Sequence, residues 1–146
     1  MQLQIVETVR LGADTKIHLS TLKKRTGIAN WNILCRWAFC LSISDNTSVR
    51  DREEKGVGAV EMSWKTFAGE EDEVYRLLLV DRCESEHGAV DKDTLSKTLR
   101  HHIARGAARL VSKRDLKSVS ELLTLAIASV DDQKERVSEA PEPSGH

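Results

Sequence analysis

In QLQIVETVRL, apolar residues alternate with polar ones at Leu3, Ile5, Val9 and Leu11, with Val6 departing from the pattern. A period of two closed by Gly12 predicts a short N-terminal strand. The period then lengthens. Asp14 or Thr15 is placed to cap a helix that runs to Thr26 and stops at Gly27, with Leu19 and Leu22 as a narrow buried seam. Asn30 is placed to cap a second helix, in which Ile33, Leu34, Trp37, Ala38 and Leu41 recur at the spacing of one helix face and Arg36 lies off it. With Trp37 on that buried face, Trp37→Ala is expected to cost ~3–5 kcal/mol.

From Ser42 to Gly58 the chain turns polar and charged, which predicts a mobile loop. AVEMSWKTF reads as a short strand ended by Ala68-Gly69. A helix then opens on Glu70, Glu71, Asp72 and Glu73, suited to the positive end of its dipole, and is expected to bury Val74, Leu77, Leu78 and Cys83. After the turn SEHGAVDKD, a helix from about Asp93 to Lys113 places Leu95, Leu99, Ile103, Gly106 and Leu110 on one side. Ser118 and Glu121 have capping-box spacing ahead of a last amphipathic helix carrying Leu122, Leu123, Ala126, Ile127 and Val130. SEAPEPSGH has the composition of a disordered tail.

The reading is a mainly α protein: a small helical domain over residues 1–114 with a short N-terminal strand, an amphipathic extension over 115–137 and a tail over 138–146, with about five helices in all. Strand, helix, glycine turn and helix within the first 44 residues is also the order of elements in ribbon-helix-helix DNA-binding proteins. There, strands of two chains pair into one ribbon that enters the major groove. An amphipathic start to a helical domain fits the same periodicity.

An aromatic share of 4% within 40% apolar residues means that Leu, Ile, Val and Ala must build the core. The chain has no apolar run of membrane-spanning length, and its N-terminus lacks the basic-then-apolar order of a signal peptide, so a cytoplasmic protein is expected. Cys35, Cys40 and Cys83 form no disulfide framework and read as small buried hydrophobes in a reducing compartment.

The net charge of −1 conceals strong segregation. Residues 1–44 carry +4, 45–91 carry −7, 92–117 carry +6 and 118–146 carry −4. A basic footprint can therefore exist on a nearly neutral chain, and the acidic blocks would discourage indiscriminate binding. Solvated helix faces would show the same blocks.

The densest cationic cluster is Lys23-Lys24-Arg25, at the joint between the first two helices, with Lys16 two turns earlier and Arg36 beyond. Compensation of a helix C-terminus needs one or two cations. Three in succession, next to the free amides that start the second helix, suit phosphate oxygens. A second stripe, Lys97, His101, Arg105, Arg109 and Lys113 with Arg100 beside it, runs at spacing four along the later helix. Both stripes are candidate DNA contacts; a solvated face is the competing reading of the second. The sequence contains no HExxH, glycine-rich phosphate loop or GxSxG, and neither His101-His102 nor Cys83 with His87 has further ligands at useful spacing, so no cofactor or metal site is evident.

LSTLKKRTGIANWNILCRWAFCLSIS resembles the DndE family of bacterial DNA phosphorothioation systems. VEMSWKTFAGE and LSKTLRHHIARGAARL are similar to the same family and follow in the same order. Together these stretches cover roughly Leu19 to Leu110. The resemblance implies a protein that works beside a cysteine desulfurase and partner proteins replacing a non-bridging phosphate oxygen by sulfur. It implies binding to duplex DNA, nicked DNA especially, a nicking activity, self-assembly into a homo-oligomer, and a ribbon-helix-helix-like helical fold. It singles out Lys23, Lys24, Arg25 and Arg36 as DNA contacts. Nicking, if intrinsic, calls for a nucleophile and usually a divalent metal, which the motifs do not supply. A non-enzymatic hub holding the other sulfur-modification proteins together is the second reading.

Overall fold

The computed structural model describes residues 6–49 and 54–112. Strand β1 (Thr8–Leu11) pairs antiparallel with β2 (Val60–Ser63), with Thr8 opposite Ser63 and Leu11 opposite Val60. Val9, Leu11 and Val60 point into the core, while Arg10 and Glu61 meet outside at 3.6 Å. Bonds from Gly58 N–H to the Leu11 carbonyl (3.1 Å) and from Trp64 N–H to the Glu7 carbonyl (2.9 Å) lengthen the ladder at both ends. One edge of β1 is therefore paired with a strand of its own chain. The in–out alternation of β2 matches that of β1, so both bury one face together.

Five α-helices follow among the described residues: α1 (Ala13–Thr26), α2 (Trp31–Ile43), the short α3 (Trp64–Ala68), α4 (Asp72–His87) and α5 (Lys92–Ser112). The mainly helical architecture is as the periodicities predict. The two C-terminal segments lie outside the described residues. No helix among the described residues is long and apolar enough to cross a membrane.

Local signals set several boundaries. Gly27 adopts φ 76° and donates its amide to the Lys23 carbonyl, which ends α1 where a left-handed residue is needed. Gly12, with no side chain to bond, holds the N-cap position in place of Asp14 or Thr15, and Thr15 is buried. Asn30 sits at the N-cap of α2 without a side-chain bond to it. The expected strand AVEMSWKTF divides after Ser63, whose hydroxyl accepts from Thr66 N–H (3.1 Å) and so starts α3.

Burial on α2 departs from a single stripe. Leu34, Cys35, Ala38, Phe39, Cys40 and Ser42 are buried, whereas Ile33, Trp37 and Leu41 are only partly so. It packs against α1, α3 and α5, so more than one stripe is covered. Phe39 is the centre, with its ring 5.8 Å from Phe67 and 6.0 Å from Tyr75. On α4, Val74, Leu78 and Cys83 are buried as expected but Leu77 is 49% exposed. The five residues expected on one face of α5 are all buried.

At the crossing of α2 and α5 the backbones nearly touch. A Cβ on Gly106 would fall 1.8 Å from the Ala38 carbonyl oxygen, with no flexible atom to give way. A buried polar cluster flanks this contact. His102 Nδ1 is 2.7 Å from Ser42 Oγ, and its Nε2 is 2.9 Å from the Glu86 carboxylate. An imidazole protonated on Nε2 alone donates to Glu86 and accepts from Ser42, so the neutral form satisfies both contacts. Burial, with Arg105 and Arg82 close by, pushes the His102 pKa down to about 3. The loop expected to be mobile from Ser42 onward thus begins as a wholly buried residue.

Gly106→Ala is expected to destabilise by at least ~3 kcal/mol or to abolish folding. Helix propensity alone predicts a gain of about 1 kcal/mol, so the sign of the shift in urea midpoint tests the crossing. Phe39→Ala should cost ~3–5 kcal/mol and Trp37→Ala clearly less, which the same titration measures. For His102, the unfolded chain takes up a proton near the usual value of 6.5 and the folded chain refuses it until about 3. Stability is thus complete above pH ~6.5 and declines below it, by up to about 1.4 kcal/mol per pH unit. His102→Gln should flatten the dependence between pH 7 and 5; an undiminished slope contradicts the assignment.

Candidate nucleic-acid interface

The last turn of α1 carries Lys23, Lys24 and Arg25 because the chain must stop there and turn at Gly27. Thr26 Oγ1 donates to the Leu22 carbonyl (2.8 Å) and accepts from the Ile28 amide (3.2 Å), fixing the bend. Lys23 and Lys24 project into solvent, as does Lys16. Lys16 and Lys23 are seven residues apart, which places them on one side of the helix about 10 Å apart along its axis. Among the described residues none pairs with Lys16, Lys23 or Lys24. Arg25 is half-buried and donates from Nη1 to the Val111 carbonyl (2.6 Å), joining the end of α1 to the end of α5.

The arginines further along behave differently. Arg36 donates from Nε to the Phe67 carbonyl and from Nη2 to the Thr66 carbonyl (3.0 Å), closing the end of α3. Gly69, at φ 62°, lets that guanidinium pass; a Cβ there would stand 2.7 Å from Arg36 Nη2. Arg105 donates to Ser42 Oγ (2.8 Å), the Ser42 carbonyl (2.8 Å) and the Thr47 carbonyl (3.0 Å). Burial lowers its pKa from the ordinary arginine value. Arg109 reaches Asp45 at 2.8 Å, and Arg82 donates to the carbonyls of Ile43 (2.8 Å) and Asp45 (3.0 Å). Three guanidiniums therefore hold the segment that leaves the end of α2. The amide and hydroxyl of Thr47, then Arg109, hold the Asp45 carboxyl well below the usual range.

Arg100 faces Glu54 at 3.4 Å with both side chains largely covered, and Lys97 faces Asp93 at 3.5 Å in the open. His101 is buried, so the stripe read at spacing four is not a continuous surface. Lys113 lies outside the described residues. Of the nine candidate contacts, the structure groups Lys16, Lys23, Lys24 and Arg25 along α1. It engages Arg36, Lys97, Arg100, Arg105 and Arg109 with the protein's own backbone or acids. Arg82, Ser42, Glu86 and His102 escape sequence reading, because their partners come from helices distant in the chain.

Burial disfavours nucleophile chemistry at the cysteines of α2, at Tyr75 and at Ser42. Burial pushes the Cys35 and Cys40 thiols up to about 12 and raises the Tyr75 phenol as well. Ser42, His102 and Glu86 line up as hydroxyl, imidazole and carboxylate, yet Ser42 and His102 have no exposed surface for a substrate to approach. No group of three or more His, Cys, Asp or Glu among the described residues is arranged to hold a metal ion.

Solved structures similar in fold include two DndE crystal structures. One is DndE from Escherichia coli B7A, involved in DNA phosphorothioation modification, at TM-score 0.59 and 24% identity over 73% of this chain and 96% of that one. The other is a DndE G21/24K mutant involved in DNA phosphorothioation, at TM-score 0.58 and 21% identity over 73% and 98%. No curated protein matches the sequence. The family model described as DNA sulphur modification protein DndE matches residues 8–118, and on that match the chain belongs to the DndE family.

Proposed function

We propose that this chain is the DNA-binding component of a phosphorothioation system, and that it meets the phosphate backbone of duplex or nicked DNA through the α1 face bearing Lys16, Lys23 and Lys24. The observation that carries this reading is the contrast between two classes of cation. Four arginines are spent on the protein's own carbonyls and carboxylates. The three lysines stand in solvent with no partner among the described residues. Flexible ammonium groups of this kind act as point charges toward phosphate and carry no base preference.

Arg25 supports that face from another side of α1, since its bond to Val111 fixes where the end of α1 stands. The first-turn amides of α2, which begins four residues beyond Gly27, add donors facing the same bend. Sulfur insertion needs access to a backbone phosphorus, and a protein that grips the backbone beside a nick supplies positioning for partner enzymes. Binding and presentation are thus the role proposed, with the other sulfur-modification proteins as partners.

Replacing Lys16, Lys23 and Lys24 by alanine should weaken binding to any duplex sequence by roughly tenfold or more at low salt. The log–log slope of affinity against salt should fall by about 0.9 per lysine engaged. The urea midpoint should stay within about 0.5 kcal/mol of wild type, since the side chains are exposed. A titration of intact and nicked duplex at several salt concentrations measures all three. Affinity and slope unchanged by the substitutions would remove the proposal. No binding by the wild-type protein at low salt would favour the assembly hub.

A further inference from the structure

The lysine-bearing side of α1 carries one residue that neither the core nor the helix calls for. Ile17 is 62% exposed, the most exposed of the large apolar side chains among the described residues. A side chain so open to water adds little to the core, and a β-branched residue is a weaker helix former than the lysines around it. Lys16 precedes it directly. Lys24 follows seven residues later and so lies almost in line with Ile17 on the same side of the helix, ~10 Å along the axis. Ser20 and Thr21 stand between them, both short and partly covered, and Thr21 Oγ1 donates back to the Ile17 carbonyl (3.1 Å). Ile17 is therefore an apolar point on the crest of α1 with an ammonium group towards either end. Asp14, one turn earlier and exposed, bounds the face on that side, since phosphate avoids a carboxylate.

We infer that Ile17 is the residue by which this face favours DNA with a broken base stack, packing against the step at a nick while the lysines hold phosphates on both sides of it. The inference rests on the lysine face being the DNA-binding surface. It adds what lysines cannot supply, because point charges meet intact and nicked backbones almost alike. Lys16 and Lys24 stand ~12 Å apart along the axis, the rise of about three to four steps of one strand. In an intact duplex the base faces between those phosphates are covered by stacking, and an apolar wedge must open a step to reach them. At a nick one strand no longer resists the bend. The step then opens at lower cost, and Ile17 gains apolar contact with a base face or a deoxyribose. This contribution comes from removing apolar surface from water, so salt leaves it nearly untouched while screening the lysine contacts. Affinity thus divides in two: the lysines set its overall level, and Ile17 sets the ratio between nicked and intact duplex.

Ile17→Ser and Ile17→Leu, each in the full chain, test this with an intact duplex and the same duplex carrying one central nick. The wild-type protein should bind the nicked duplex more tightly by about threefold or more. Ile17→Ser should bring the two affinities together with the salt slope unchanged, and Ile17→Leu should keep the preference. Replacing Lys16, Lys23 and Lys24 by alanine should weaken both duplexes alike. A fluorescent adenine analogue beside the nick should brighten when the wild-type protein binds, as the step unstacks, and stay dim with Ile17→Ser. An Ile17→Ser protein that keeps the full preference overturns the inference, as does an analogue that stays dim with the wild type. Equal binding of the two duplexes by the wild type overturns it too, and leaves the proposed DNA-binding role standing. If the wild type binds neither duplex, that role fails and the inference with it.

Discussion

The close approach of α2 and α5 organises the rest of the protein. A glycine against a main-chain carbonyl brings two helix axes nearer than any side chain allows. That proximity is what lets Ser42 on one helix reach both His102 and Arg105 on the other. The cluster is fully paired with His102 neutral, so geometry and protonation state support each other. Unpaired polar groups at such a depth are costly, which ties the crossing to one register: sliding α5 along α2 would break the contacts on both sides of His102.

From this crossing follows the division of labour among the cations. The end of α2 presents carbonyls at the negative end of a helix dipole, and Arg82 and Arg105 supply donors there while Arg109 holds the Asp45 side chain. Arginine suits that task because its fork bonds two or three acceptors at once, as Arg36 does at the end of α3. Lysine lacks the fork, and on α1 it appears where nothing internal needs bracing. The chemistry of the two residue types thus separates the cations that brace the fold from those that stand in solvent.

The α1 lysine face owes its placement to the same scaffold. Arg25 spans from α1 to the last turn of α5, so the end of α1 is fixed relative to the helix that crosses α2. Lys23 and Lys24 are consequently mobile side chains on a positioned backbone. That combination fits binding without base preference: phosphate contacts set orientation and affinity, while sequence information must come from elsewhere.

Residues near one another in the chain made much of this legible in sequence. Gly27 had to end α1, the core face of α5 repeated at helical spacing through Gly106, and Lys23 to Arg25 lay at the bend whatever the tertiary arrangement, because helix periods and turn conformations depend on a few neighbouring residues. The partner of β1, the exposure of Trp37 and Leu77, and the fate of Arg36, Arg100, Arg105 and Arg109 could not be read that way. Each depends on which element arrives opposite, and that is settled by packing over separations of 30 to 60 residues. A stripe of cations on a helix has the same local sequence signature whether it meets solvent, phosphate or the carbonyls of another helix, so the sequence named the charges and the tertiary structure chose their partners.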